Sequence, residues 1–444
     1  MERHPIVEIL EKRKNGESAG VYSVCSANRY VIEAAFERAR ETGTYALIEA
    51  TANQVNQFGG YTGMGPADFA AFVYTVADGL GFPRKSVILG GDHLGPLTWQ
   101  NEPEESAMKK AEELVRRFVA AGFTKIHLDT SMMLAGDDRS EKLSDSVIAG
   151  RAARLAKVSE EARASLRRHG GSGEQDRHGE GAGAPVYVIG SEVPIPGGAQ
   201  ENDEDVSVTT AGQFEQTYET FKKEFAALGL TGAIERIVAV VVQPGVEFSD
   251  ETVTPYSREK AKNLCAALEK HPGIVFEGHS TDYQTKGCLK QMVEDGIAIL
   301  KVGPALTYAL RQALFALNDI ENELLLGKGI ALSGFRDALE DAMMANPAYW
   351  EKYYHDDAYS SAAIKRKYSF SDRCRYYLPE QEVARSVGTL MANIDGARVP
   401  ISLLEQYMPI QYAHVREGRL KPDAAALIKD RVKDYIDDYL YAVT

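Results

Sequence analysis

Asp92 and His93 follow the apolar run Ser86-Val-Ile-Leu89 and the glycine pair Gly90-Gly91. Such a run reads as a buried strand that delivers an acid and an imidazole to a cleft, with glycines that turn the backbone and admit a ligand closely. An imidazole can bind a divalent cation while a neighbouring carboxylate moves a proton, which is the pairing required for metal-assisted carbonyl chemistry. An isolated Asp-His is equally explained by a hydrogen-bonded core histidine beside a helix cap. The functional reading gains from recurrence, because similar polar groups stand at the ends of other strand-like runs.

Those ends are Cys25-Ser-Ala-Asn28, Glu49-Ala-Thr-Ala-Asn53, His127-Leu-Asp129-Thr-Ser131, Gly190-Ser-Glu192, Gln243-Pro-Gly245, Glu277-Gly-His279-Ser280-Thr281 and Lys301-Val-Gly303. His93, His279 and a third imidazole, His127, converge with the carboxylates of Asp92, Asp129 and Glu192 if the strands close into a barrel. Mixed nitrogen and oxygen donors of this kind suit Zn, Mn, Co or Mg. His127 and Asp129 share one strand face, so they either join the cluster or support it from behind. Glu49 is either an ion-pair member or a chemical group. Lys301 raises a metal-free alternative, a Schiff-base lysine. Ser280, Thr281 and Gly303 occupy the quarter of such barrels where backbone N–H groups cradle phosphate.

The elements that must position these groups alternate along the chain. Strand candidates are Val21–Cys25, Tyr45–Glu49, Ser86–Leu89, Lys125–Asp129, Val186–Ile189, Ile237–Val242, Ile274–Glu277 and Ile297–Val302, with amphipathic helical stretches between them. Eight such units predict a closed (β/α)8 TIM barrel over residues 1–328. The competing open sheet usually carries a GxGxxG turn after its first strand, and Val21–Asn28 has none. Arg167–Pro185 is glycine-rich and charged, which predicts a surface loop, with His169 and His178 as exposed residues rather than ligands. Residues 329–444 read as a helical C-terminal extension. Within it, Ser371–Tyr377 packs Arg373 and Arg375 beside two tyrosines, as expected if one arginine reaches over the barrel mouth to a substrate phosphate or a site carboxylate.

A formal net charge of −14 argues against nucleic acid and anionic membrane as partners. The four cysteines, Cys25, Cys265, Cys288 and Cys374, lack CxxC spacing, so reduced thiols in a cytoplasmic enzyme are expected. The opening residues Met1–Pro5 contain no apolar stretch resembling a signal peptide, and no segment has the length of a membrane span.

The segments GVYSVCSAN, EATANQVNQFGGYTGM, LGGDHLGP, KIHLDTSM, IGSEVPIPGG, VVVQPGVEF, FEGHSTDYQ, LKVGPALTYALRQAL, SDRCRYYLPE and ISLLEQYMPIQY together resemble the Z-subunit (GatZ/KbaZ) family of tagatose-1,6-bisphosphate aldolase, over essentially the whole chain. The resemblance implies a barrel related to the class II, metal-dependent ketose-bisphosphate aldolases. It makes Asp92 similar to the proton-transferring aspartate, and His93 and His279 similar to histidines that bind the catalytic metal. Asp129 and Glu192 resemble secondary cation carboxylates that also qualify for proton transfer. Where class II enzymes place a further histidine on the sixth strand, this chain has Gln243, so Glu192 or Gln243 is expected to fill that place in the metal shell, and Gln243 is also assigned with Asn28 to the substrate. Some family members are regarded as non-catalytic partners of a separate aldolase subunit, and others resemble 4-epimerases of tagatose or its phosphates. The retained acids and imidazoles favour an enzyme interconverting D-tagatose 6-phosphate and D-fructose 6-phosphate, with an aldolase partner or a homo-oligomer as possible assemblies.

Overall fold

The computed structural model describes residues 3–169, 183–191, 206–357 and 360–444. Eight parallel strands close a barrel: β1 Val21–Val24, β2 Ala46–Thr51, β3 Val87–Leu94, β4 Lys125–Leu128, β5 Val186–Ile189, β6 Ile237–Val242, β7 Val275–Gly278 and β8 Ile297–Val302. Each strand pairs with its neighbours in sequence, and β1 meets β8 with Val21 opposite Ile299 and Val24 opposite Val302. The expected (β/α)8 TIM barrel with helical chain after it is the fold observed, and every anticipated run is a strand. The helices between strands bury one face. Glu104–Ala120, for example, turns Ala107, Met108, Ala111, Leu114, Val115, Phe118 and Val119 inward at three- and four-residue spacing.

One end of the barrel is stoppered. Helix Pro5–Lys14 packs Ile6 and Leu10 against residues at the strand starts, including Val21, Leu47, Ile88, Val186 and Val275. Proline in the first turn and the His4 ring, which accepts the Ile6 N–H at 3.2 Å, fix where that helix begins. Water is thereby excluded from below, and polar groups inside the barrel are open only toward the strands' C-terminal ends.

The glycine pair does not turn the chain. β3 continues through Gly90 and Gly91, which pair with Glu49 and Ala50 of β2. A Cβ on Gly90 would lie 2.6 Å from Cγ of Glu49, and one on Gly91 2.5 Å from Cδ1 of Leu94. The glycines therefore leave room for neighbouring side chains rather than for a bend. The bend comes two residues later. Gly91 stands opposite Ile126 and Leu94 opposite Leu128, so β3 holds one residue more than β4, a β-bulge. His93 absorbs it at φ 49°, in the left-handed region. In a regular strand Asp92 and His93 would face opposite sides; the bulge turns both toward the cleft.

Beyond β8 come the helices Pro304–Leu325, Phe335–Ala345, Gln381–Gly396 and Ala424–Val443. The last of these lies against helices Arg29–Thr42, Lys286–Glu294 and Pro304–Leu325, and the Gly20 N–H donates to the Val443 carbonyl at 3.2 Å. Its Tyr439 hydroxyl donates to the Thr281 carbonyl at 2.8 Å, while the Thr281 hydroxyl donates to the Lys301 carbonyl at 2.6 Å. Among the described residues no helix is long and apolar enough to cross a membrane. Tyr439→Phe removes a buried donor that joins the extension to the β7 loop. It should lower stability by about 1–2 kcal/mol, read as a lower urea midpoint at unchanged m-value.

Candidate active site

A cleft opens at the C-terminal ends of the strands, with Asp92, His93, His279, Ser280, Asp282, Lys301 and Gly303 on its floor and walls. Thr51, Asn53, Gln54 and Tyr61 come from the β2 loop, and Arg375 and Tyr376 from the extension. Active sites of such barrels occupy this face because loops from several strands meet there.

At the base, Asp92, His93, His127 and His279 bring one potential ligand atom each to within 4.8 Å of one another. Each imidazole spends one nitrogen on a carboxylate. His93 Nδ1 lies 2.8 Å from Asp129 Oδ2, His127 Nδ1 2.9 Å from Asp92 Oδ1, and His279 Nε2 3.0 Å from Glu277 Oε1. Carboxylates behind histidines fix tautomer and ring direction and free the second nitrogen for a metal. His127 Nε2 is buried with no hydrogen-bond partner among the described residues. Burial drives His279 down to about 4, so its ring is neutral near pH 7 and keeps a lone pair for a ligand.

Below this layer runs a ladder of ion pairs whose innermost side chains have 0% exposure. Lys125 Nζ lies 2.6 Å from Glu49 Oε1 and 2.6 Å from Glu277 Oε2. Lys301 bridges the other oxygen of Glu49 to Asp92 Oδ2, the latter at 2.9 Å. Burial resists ionisation of Asp92, but Lys301 and the neighbouring imidazoles hold its carboxyl well below the usual range. Burial likewise works against the Lys301 ammonium, and Asp92 foremost raises it well above the ordinary lysine value. An ammonium so held is not a nucleophile, which weakens the Schiff-base alternative. Burial works against a charged His93 ring, but Asp92 and Asp129 raise its pKa, so the buried carboxylates Glu49, Asp92, Asp129 and Glu277, which outnumber Lys125 and Lys301, favour positive charge at the cluster. The donor set of three imidazoles and a carboxylate fits a divalent metal.

Of the residues singled out by sequence, Asp92, His93, His279, Ser280, Gly303 and Arg375 meet in the cleft. Asp129 sits behind His93, its Oδ1 accepting the Ser131 N–H at 3.1 Å and hydroxyl at 2.7 Å. Thr281 faces the barrel wall through its bond to Lys301. Asn28 caps helix Arg29–Thr42, accepting the Tyr30 N–H at 3.0 Å. Gln243 Oε1 accepts the N–H groups of Gly245 and Val246 at 2.9 and 3.0 Å, shaping its own loop. Arg373 lies flat on Tyr353, its guanidinium carbon 3.3 Å from the ring centre, and does not line the cleft. Glu192, and His178 of the glycine-rich loop, lie outside the described residues.

Sequence reasoning passed over Lys125 and Asp282. Lys125 was legible: with His127 and Asp129 it keeps a period of two, so all three face one side of the strand. Asp282 carried no such signal, since its partners belong to the next strand–helix unit.

A barrel with carboxylate-backed imidazoles beneath an arginine-rimmed mouth defines a class of proteins suited to polarising a small oxygenated substrate. The chain belongs to the D-tagatose-1,6-bisphosphate aldolase subunit GatZ/KbaZ-like family, whose model matches residues 6–444. A structure from Sinorhizobium meliloti 1021, described as a probable tagatose 6 phosphate kinase, is 42% identical and covers 96% of this chain and 100% of its own, with a TM-score of 0.84. A fructuronate-tagaturonate epimerase from Cohnella laeviribosi is 13% identical over 95% of this chain and 81% of its own, with a TM-score of 0.44. A fructose-bisphosphate aldolase from Campylobacter jejuni is 13% identical over 91% and 93%, with a TM-score of 0.41. At those scores neither of the last two bears on function.

Lys125→Met would strand Glu49 and Glu277 as facing buried carboxylates. It should cost roughly 3–5 kcal/mol in urea unfolding, or abolish folding. The double change Lys125→Met with Glu277→Gln should recover part of that loss, and an unchanged midpoint in the single variant would contradict the ladder's role.

Proposed function

We propose that this protein interconverts D-tagatose 6-phosphate and D-fructose 6-phosphate by inverting carbon 4 through a retro-aldol and aldol sequence. The observation that carries the reading is the buried Asp92, His93, His127 and His279 cluster beneath a cleft that also holds Arg375. Membership of the tagatose-related family supports the substrate class. A divalent cation held by His93, His127 and His279 would act as a Lewis acid toward the carbon 2 ketone.

Carbon 4 is not next to the carbonyl, so its hydrogen is not acidic enough for simple abstraction. Breaking the bond between carbons 3 and 4 avoids that difficulty. Asp92, kept as carboxylate by Lys301, takes the proton of the carbon 4 hydroxyl as that bond breaks. The electron pair passes to the ketone half as an enediolate, and the other half leaves as an aldehyde. Arg375 holds the phosphate of the aldehyde half. The guanidinium donates to the carbonyls of Ser371 and Asp372 and to the Tyr376 hydroxyl, while the carboxylates of Asp372 and Asp282 act on it electrostatically. The aldehyde turns its other face, the bond re-forms, and Asp92 returns the proton. Asp129 orients His93 and Glu277 orients His279.

The purified chain with a divalent cation should convert one ketose phosphate into the other. Chelation should abolish the activity and added metal should restore it, and His93→Ala should cost roughly three orders of magnitude in kcat/KM. Full turnover in metal-free protein would discard this route. ADP release from ATP without isomerisation would replace it by phosphoryl transfer. The family's description as an aldolase subunit supports a second reading, a stabilising partner without turnover; under it His93→Ala is silent and only the partner's half-life responds.

Arg375→Ala should raise KM for tagatose 6-phosphate by about tenfold or more while leaving that for unphosphorylated tagatose nearly unchanged. Steady-state kinetics on both sugars checks this, and equal effects on the two would remove Arg375 from phosphate binding.

A further inference from the structure

Gly303 precedes the 22-residue helix Pro304–Leu325 at the barrel mouth, where unpaired N–H groups and the helix dipole favour an anion. In this chain an internal group occupies that place. Asp282, three residues after His279, accepts the Gly303 N–H at 3.0 Å and the Ala305 N–H at 2.8 Å, both on Oδ1. It lines the cleft together with Ser280 and Gly303 and is only 3% exposed. Burial raises its carboxyl to about 6, opposed by those two N–H bonds and by Arg375, so the group is mostly ionised at pH 7 and above.

A phosphate arriving at this helix end finds two donors already bound and a like charge facing it. Another anion partner lining the cleft is the Arg375 guanidinium. We infer that Asp282 is a specificity-determining residue that permanently fills a second phosphate seat, so that the cleft accepts a ketose bearing one phosphate and rejects the 1,6-bisphosphate. This rests on the proposed function in one respect, the assignment of Arg375 to the substrate's phosphate. Like charges set against one another at an interface cost enough to shift affinity by about tenfold or more.

Hexitol phosphates test this without turnover, since a sugar alcohol has no ketone to react. Titration calorimetry on the full chain with divalent cation would compare glucitol 6-phosphate with glucitol 1,6-bisphosphate. The wild-type protein should bind the monophosphate at least about tenfold more tightly. Asp282→Gly frees both N–H groups and should erase or invert that preference. Asp282→Asn keeps the helix cap, removes only the charge, and should fall between the two, which guards against a glycine variant that fails to fold. Equal wild-type affinities, an equal gain for both ligands in Asp282→Gly, or no binding of either hexitol would each overturn the inference. Failure of epimerase turnover with the monophosphate preference intact would instead sink the proposed reaction and leave the selectivity standing.

Discussion

The Lys125 ammonium, shared between Glu49 and Glu277 inside the barrel, is the contact on which the site is built. Ions in a protein interior cost several kcal/mol each unless paired and hydrogen-bonded. Lys125 supplies the pairing for two carboxylates at once, and each of them reaches upward. Glu277 holds His279; Glu49 holds Lys301, which holds Asp92, which holds His127. A side chain near the barrel's midpoint thereby sets the direction of groups on four other strands. The stopper helix Pro5–Lys14 completes the arrangement, because water entering from below would screen the ladder and loosen those directions.

Much of this was legible in sequence because a parallel barrel imposes simple rules. Strands buried on both faces read as aliphatic runs, as Ile237–Val242 does, and all eight were recognisable for that reason. The Asp-His pair and the recurrence of polar groups such as His127, Asp129 and His279 at other strand ends identified the cleft. Two classes of fact stayed hidden. One is register: the bulge at His93 depends on one residue in the pairing of β3 with β4, and the glycines before it looked like a turn. The other is contact between units, such as Asp282 with Gly303 or Arg373 with Tyr353. Nothing in local spacing separates Arg373 from Arg375; the short helical turn Arg373–Tyr376 sends one guanidinium to an aromatic face and the other to the mouth.

Backbone strain is gathered at the same place. Among the described residues the non-glycine positions with positive φ are His93, Ser280, Tyr283 and Asp372. The first two line the cleft. Tyr283 and Asp372 brace the roof above it, Tyr283 donating to the Phe370 carbonyl at 2.6 Å and Asp372 accepting from Arg311 at 2.8 Å. Left-handed residues of this kind cost about 1–3 kcal/mol each and persist where surrounding contacts over-determine them. The ladder below and the extension above supply those contacts.

Arg375 and Tyr376 are encoded after every strand of the barrel, and the helix Ala424–Val443 that steadies the β7 loop comes later still. Translation adds roughly 5–20 residues per second, and domains fold from the N-terminal side as they emerge. The eight strands therefore leave the ribosome several seconds ahead of their roof. A barrel that closes before that roof emerges would hold the imidazole cluster beneath a mouth that lacks the Tyr376 ring and the Arg375 guanidinium, which the later chain then adds. The order of the genetic message thus places the floor of the cleft ahead of its rim.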